Sequence, residues 1–292
     1  MSLTLTGLFL YPVKSCRGCA VSAADVDALG LVGDRRFLVV DANGAHLTQR
    51  PLPRMALIAT ELTATALLLR AEGAGEISVP VRAAAPAALR TVSIWRSHGL
   101  LAEDCGRDVS AWLSAFLGVP CHLVRIGEKF HRPVLDRPAF ASAPADTPVV
   151  DGRIVSTDRF NFADGYPFLV VSEASLVHLN DRLVALGEEP VPLDRFRPTL
   201  VVSGCPAFAE DTWSRVRIGA ITFRSGGPCA RCLVTTTDQF SGERGTEPLR
   251  TLAAYRRDPA DPTRINFALN LTHETKSGSL RVGDTVTLLS AP

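Results

Sequence analysis

Cys229 and Cys232 flank Ala230-Arg231 in the run Pro228-Cys229-Ala230-Arg231-Cys232-Leu233-Val234-Thr235-Thr236-Thr237-Asp238. The β-branched residues predict a strand over 232–237, and Gly226-Gly227-Pro228 predicts a tight, exposed turn before it. A thiol at the mouth of a strand beside Arg231 is placed to ionise, because a neighbouring cation favours the thiolate. Such a thiolate serves as a metal ligand or a nucleophile. The same cysteines also suit a packed interior, where thiols behave as small hydrophobes. A second Cys-x-x-Cys pair, Cys16 and Cys19, raises a four-thiolate zinc site. The two pairs are separated by far more than the roughly 15–20 residues of a zinc ribbon. Neither opens a helix, as a redox pair does. The six histidines, at 46, 98, 122, 131, 178 and 273, show no metal-binding spacing.

Anion recognition has more support. Lys14 and Ser15 close Tyr11-Pro12-Val13-Lys14-Ser15 at the end of the opening strand. Arg35 and Arg36 follow Gly33-Asp34 at the start of another, and Asp194-Arg195-Phe196-Arg197-Pro198 stands just before a strand over 199–203. Cations at strand mouths, next to turns with free amides, suit a phosphate or a carboxylate. The bland reading of each is a solvated surface charge. There is no phosphate-binding P-loop, no dinucleotide glycine fingerprint and no nucleophile elbow. Nucleotide-dependent phosphoryl transfer, Rossmann binding and elbow-type hydrolysis are thereby disfavoured.

These residues need a scaffold, and the pattern is β-rich. Leu3, Leu5, Leu8 and Leu10 predict an opening strand broken in register near Gly7. Further strands are predicted over 36–41, 55–62, 91–94, 121–126, 168–171, 199–203, 216–223, 265–269 and 285–289, with a hairpin excursion within 71–89. Asp108 is a candidate cap for a helix over 109–117 stopped by Gly118. Ser172 caps a second, striped by Leu176, Leu179, Leu183 and Leu186 and ended by Gly187, and a short third runs from Pro248 to about 257. Prolines at 133, 138, 144 and 148 mark a linker or flap. The expected division is residues 1–130, a β-barrel-like unit; 131–152, the linker; and 153–292, a β-barrel with a few covering helices.

Composition sets outer limits. The chain has 292 residues, 46% hydrophobic and 21% charged, and a net charge of +1, which gives no global attraction to nucleic acid or anionic membranes. No apolar run approaches the roughly 18 residues of a spanning helix, and the start lacks signal-peptide features. Seven cysteines, an odd number in a chain this long, favour a reducing compartment over a disulfide framework.

Taken together, YPVKSCRG, GDRRF, DGYPFLVVSEASL, RFRPTLVVSG, AFAEDTW, CARCLVTTTD, EPLRTLAAYR and RVGDTVTLL resemble, in order and nearly end to end, the MOSC proteins with an N-terminal MOSC β-barrel domain. That group includes the mitochondrial amidoxime-reducing component and YcbX-like bacterial proteins. The resemblance implies a mixed α/β, β-rich fold, a MOSC N-terminal β-barrel packed on a MOSC β-barrel, holding a molybdenum cofactor (Mo-molybdopterin). Cys232 matches the family's molybdenum ligand, and so its catalytic residue. Lys14 and Ser15 match anchors of the pterin-phosphate portion, and Arg35 and Arg197 match arginines on the same group. Tyr166 falls where the family lines the cofactor cleft, often with serine. Thr199 replaces a usual asparagine, and Arg231 is placed to shape the substrate pocket or touch the cofactor.

The implied activity is reduction of N-hydroxylated small molecules, namely amidoximes, hydroxylamines and N-hydroxylated bases, with two electrons and two protons releasing the oxygen as water. The chain carries no ferredoxin, flavin or nicotinamide signature, so the resemblance implies an external one-electron donor, ferredoxin-, flavodoxin- or cytochrome b5-like with its reductase. No nucleic-acid or membrane partner is expected, and the expected location is cytoplasmic. The alternative is a molybdenum-cofactor carrier or sulfur-transfer module, with Cys232 bearing a persulfide or the cofactor in transit.

Overall fold

The computed structural model describes residues 2–83, 86–138, 149–150 and 153–289. Its largest sheet has eight strands, in the order Cys19–Ala20, Thr4–Leu10, Leu200–Ser203, Phe168–Ser172, Asn266–His273, Ile221–Ala230, Arg215–Ile218 and Val286–Leu289. The opening strand also meets the far edge. Thr4 bridges Thr285, Leu5 N–H donates to the Asp284 carbonyl at 2.9 Å, and Val286 N–H donates to the Leu3 carbonyl at 2.8 Å. The sheet therefore closes on itself, which removes exposed strand edges. Leu5, Leu8, Val170, Leu200, Val216, Phe223 and Leu269 fill its interior, each at most 1% exposed. The opening strand carries the register shift foreseen near Gly7, between Leu5 and Gly7.

Residues 4–10 and 19–20 are thus built into the second barrel, while Val13 and Cys16 pack in the core of the other β unit. Ala23–Asp27 likewise pairs with Gly278–Arg281 near the other end of the chain. The chain then leaves to form a separate β unit, with a four-stranded sheet of Phe37–Val40, His122–Arg125, Ser97–Asp104 and Leu89–Ile94, and a three-stranded one of Ala59–Leu62, Ala66–Ala71 and Gly75–Pro80. Helix Arg107–Leu117 covers it, burying Val109, Leu113 and Phe116. This topology matters for function, because residues 11–17 and 32–37 run along the seam between the two barrels.

Several local expectations change. Residues 53–57 form a 3₁₀ turn before the strand Ala59–Leu62, so the strand expected over 55–62 starts late, where Pro53 has ended. The strand expected over 216–223 is a hairpin broken at Gly219, whose φ of 54° suits the turn. Asp108 lies inside the first helix rather than capping it. Gly106 is the cap, and its N–H donates to the Asp104 carboxylate at 2.7 Å. Ser172 does cap the second helix, accepting from Ser175 N–H at 3.1 Å, but Leu186 of the proposed stripe is exposed beyond its end. Of the linker, Pro133–Pro138 pairs with Arg153–Arg159, whereas 139–148 and 151–152 lie outside the described residues.

The largest correction concerns the cysteine motif. Strand Ile221–Ala230 runs through Gly226-Gly227-Pro228 with register shifts at 225–227 and 228–230, and it ends before Cys232. Residues 233–236 make a 3₁₀ turn, because Thr235 and Thr236 hydroxyls donate to the Cys232 and Leu233 carbonyls at 3.0 and 2.9 Å. The threonine run expected to extend as a strand folds back on itself through side-chain bonds. Bulges of this kind re-aim side chains at barrel rims. Here they precede the thiol.

Candidate functional site

At the seam, Lys14 N–H donates to the Phe37 carbonyl at 3.0 Å, Arg35 N–H to the Tyr11 carbonyl at 2.8 Å, and Phe37 N–H to the Pro12 carbonyl at 3.0 Å. These bonds lay residues 11–15 against 35–37. Opposite stand the 3₁₀ turn Leu193–Phe196, with Arg197 after it, and the end of strand Ile221–Ala230. Between them lies a cavity of about 150 Å³ that opens to solvent. Lys14, Ser15, Arg35, Tyr166, Arg197, Arg231 and Cys232 all line it, with Cys229, Arg50, Trp95, Asp164 and Asn270.

Its walls are cationic and strained. Lys14 is 5% exposed, and its Nζ donates to the Asp164 carboxylate. Burial pushes the Lys14 ammonium down to about 8, against the opposing pull of Asp164. Desolvation at the wall would raise the Asp164 carboxyl, but Lys14 and the Trp95 indole N–H, 2.9 Å away, outweigh it and hold it ionised. Arg35 pairs at 2.6 Å with the fully buried Asp34, which also accepts from Tyr11 N–H at 2.9 Å and from the Asn161 amide at 3.3 Å. The Tyr11 ring lies between two guanidiniums, 4.7 Å from Arg35 and 4.3 Å from Arg197. A ring face between two cations attracts both, and so tolerates like charges held close. Among the described residues six non-glycine residues have left-handed φ, and four of them, Ser15 (66°), Arg35 (46°), Trp95 (51°) and Arg197 (53°), line this cavity. Backbone strain of that kind persists where the surrounding structure enforces it, often at functional sites.

Two of the arginines lining this cavity have a buried donor without a partner among the described residues. Arg197 makes one long bond, Nη1 to Gln239 Oε1 at 3.4 Å, and its buried Nη2 has no partner. Arg231 donates from Nη1 to the Cys229 sulfur at 3.0 Å and from Nη2 to the Phe196 carbonyl at 2.8 Å, while its buried Nε has no partner. The cation foreseen beside Cys232 is thus bonded to Cys229. Unpaired buried donors in a pocket with more cations than carboxylates point to an anionic ligand. A pterin phosphate with a thiolate-held metal fits that donor set, cations on one wall and the Cys232 thiol on another.

Comparison with known proteins places this arrangement. The MOSC N-terminal beta barrel domain matches residues 2–120, and the MOSC domain matches residues 157–287. The mitochondrial amidoxime-reducing component 1 of Mus musculus is 36% identical, over 98% of this chain and 82% of its own. The chain belongs to the MOSC family of the amidoxime-reducing components. The amidoxime reducing component 2 of Bos taurus is 32% identical, over 97% of this chain and 82% of its own. The molybdenum cofactor sulfurase of Danio rerio is also 32% identical, over 95% of this chain but 33% of that longer protein.

Of the residues expected in this MOSC protein's site, Thr199 alone stays away from the cavity. It is fully buried, and its hydroxyl accepts from Leu169 N–H at 3.0 Å and donates to the Leu169 carbonyl at 3.2 Å. Its one hydroxyl proton is thereby spent on the Leu169 backbone. Sequence reasoning did not single out Asp164, Trp95 or Tyr11. Asp164 and Tyr11 stood inside the quoted DGYPFL and YPVKS motifs, but Trp95, at the turn between two strands, gave no signal.

Proposed function

We propose that this MOSC protein is a molybdenum-cofactor-dependent oxidoreductase that reduces N-hydroxylated small molecules with electrons from an external one-electron donor. The observation that carries the reading is a single cavity joining the Cys232 thiol from one barrel to the buried Lys14 and half-buried Arg35 from the seam and to Arg197 from the opposite rim.

Lys14, Ser15 and Arg197 would hold the phosphate and pterin portion, Arg197 with its spare Nη2 donor and Ser15 with its hydroxyl. Arg35, balanced by Asp34, adds positive field and orients Tyr11. Cys232 supplies the soft thiolate donor for molybdenum. The bound cofactor supplies the two-electron redox chemistry, which no side chain can provide. Tyr166 and Trp95 wall the open side, where a planar N-hydroxylated group would rest. Asp164 is ionised and partnered by Lys14 and Trp95, so it orients the lysine and is no proton donor in that state. The donor is a ferredoxin, a flavodoxin or a cytochrome b5-like protein with its reductase. All seven cysteines are free, which supports a reducing setting such as the cytoplasm; among the described residues no helix is long and apolar enough to cross a membrane.

The test is molybdenum content, together with benzamidoxime reduction by reduced methyl viologen. Stoichiometric molybdenum with turnover is the expected result. Bound cofactor with no turnover of any N-hydroxylated compound would instead favour a carrier or sulfur-transfer module, the reading supported by the match to the sulfurase. Absence of both overturns the two together. A pH dependence follows from Lys14. Its charge is lost as pH rises through about 8, leaving Asp164 unneutralised beside the anion. Molybdenum retained through dialysis is therefore expected to fall between pH 7 and pH 9. Flat retention over that range would remove Lys14 from the anion site.

A further inference from the structure

A second cavity, of about 390 Å³, opens beside the first and shares Trp95, Asp164, Gly165, Tyr166 and Asn270 with it. Its own walls carry three arginines, Arg96, Arg132 and Arg264. Arg132 is 2% exposed and spends its donors on neutral acceptors. Nη1 bonds the Asn161 and Ala163 carbonyls at 2.9 and 2.5 Å, Nη2 the Asp164 carbonyl at 3.3 Å, and Nε the Ser97 hydroxyl at 3.1 Å. Its guanidinium also lies 4.1 Å from the Phe160 ring centroid. No carboxylate among the described residues bonds it, and Asp164, which it shares with Lys14, offsets its charge only through space. Arg96 and Arg264 are exposed, and neither forms an ion pair among the described residues. Asp164 is the sole carboxylate on these walls, and Lys14 already neutralises it. Asp258, off these walls, offsets part of the Arg264 charge, but a concave surface whose cations outnumber its carboxylates still concentrates anions.

On the reductase reading, we infer that the second cavity is a substrate annex that selects N-hydroxylated compounds bearing a carboxylate or phosphate on a planar ring. The N-hydroxyl end occupies the first cavity, the ring passes the Trp95 and Tyr166 side chains common to both, and the anionic group meets Arg96 and Arg264. Arg132 is too deeply engaged to bond the ligand and contributes field. Arg96 and Arg264 are then specificity residues, since they line the second cavity and not the first.

The test compares 4-carboxybenzamidoxime with its uncharged methyl ester, on cofactor-replete protein. The wild type is expected to show about a tenfold higher kcat/KM for the carboxylate, the size of one charge-assisted contact at a partly exposed site. The Arg96→Gln/Arg264→Gln variant is expected to bring the two substrates level, through a rise in KM for the carboxylate, at unchanged molybdenum content. No preference in the wild type overturns the annex. Equal losses for both substrates make the arginines structural, and lost molybdenum makes the annex part of the cofactor site; either result overturns the inference. Titrating both compounds without reductant separates this from the reductase reading. A binding preference that needs Arg96 and Arg264 sustains the annex even if neither compound is turned over. Equal binding of the two defeats it, whatever the turnover.

Discussion

Cys232→Ser is expected to cut benzamidoxime turnover per bound molybdenum by at least about a hundredfold, beyond the roughly 10–100-fold typical of losing an outer-shell partner. Serine offers a hard hydroxyl that stays protonated near neutral pH where the cysteine offers a soft anion. Lys14, Ser15 and Arg197 remain, so cofactor is expected to stay bound while activity is lost. The fold should be indifferent, since the Cys232 side chain is half-buried at the cavity wall. Cys229→Ser is the contrasting substitution. Its sulfur accepts from Arg231, which also holds the Phe196 carbonyl, so a serine oxygen can take over the bond and the loss should be severalfold at most. A structural pair of cysteines, or a two-thiolate metal site, predicts similar damage from both. Wild-type turnover in Cys232→Ser would overturn its assignment as the metal ligand.

The second large effect separates two arginines that look equivalent in the sequence. Arg197→Gln removes a guanidinium whose Nη2 has no protein partner, and is expected to lower cofactor affinity by about 10–100-fold, the equivalent of one charge-assisted contact. The melting temperature of its apo form should barely move. Arg35→Gln is expected to do the reverse. Asp34 is fully buried and loses its only ion-pair partner among the described residues, a change worth about 3–5 kcal/mol. That corresponds to a fall of roughly 10 °C in melting temperature for a chain of this size. Molybdenum per chain after dialysis, read beside apo-protein melting curves, distinguishes the two. Unchanged molybdenum in Arg197→Gln would take it out of the anion site. A thermally neutral Arg35→Gln would show that Asp34 is adequately held by Tyr11 N–H and Asn161 alone.

Much of this protein was legible without coordinates, and for a local reason. Alternation of apolar residues located the opening strand and even its break at Gly7, because a strand's two faces are written into neighbouring positions. Ser172 and Gly118 marked helix ends, because capping is decided within a turn of chain. The motifs named Lys14, Ser15, Arg35, Arg197 and Cys232, which the fold brings to one cavity, because the anion binding and metal ligation proposed for them demand particular residue types.

What the sequence could not express was the identity of each group's neighbour. Thr199 reads as a site residue until burial spends its hydroxyl on Leu169. Arg231 reads as the partner of Cys232 until the chain's turn gives it to Cys229. Thr235 and Thr236 favour a strand by propensity, yet their hydroxyls close a 3₁₀ turn at the barrel rim. Arg35 and Arg197, 162 positions apart, become a pair only because the opening strand is laid into the second barrel and Tyr11 stands between them. Propensity and residue type act within a few residues, whereas burial, charge balance and unused hydrogen-bond donors depend on which distant segments meet. Closure of the barrel around the first strand decides that meeting.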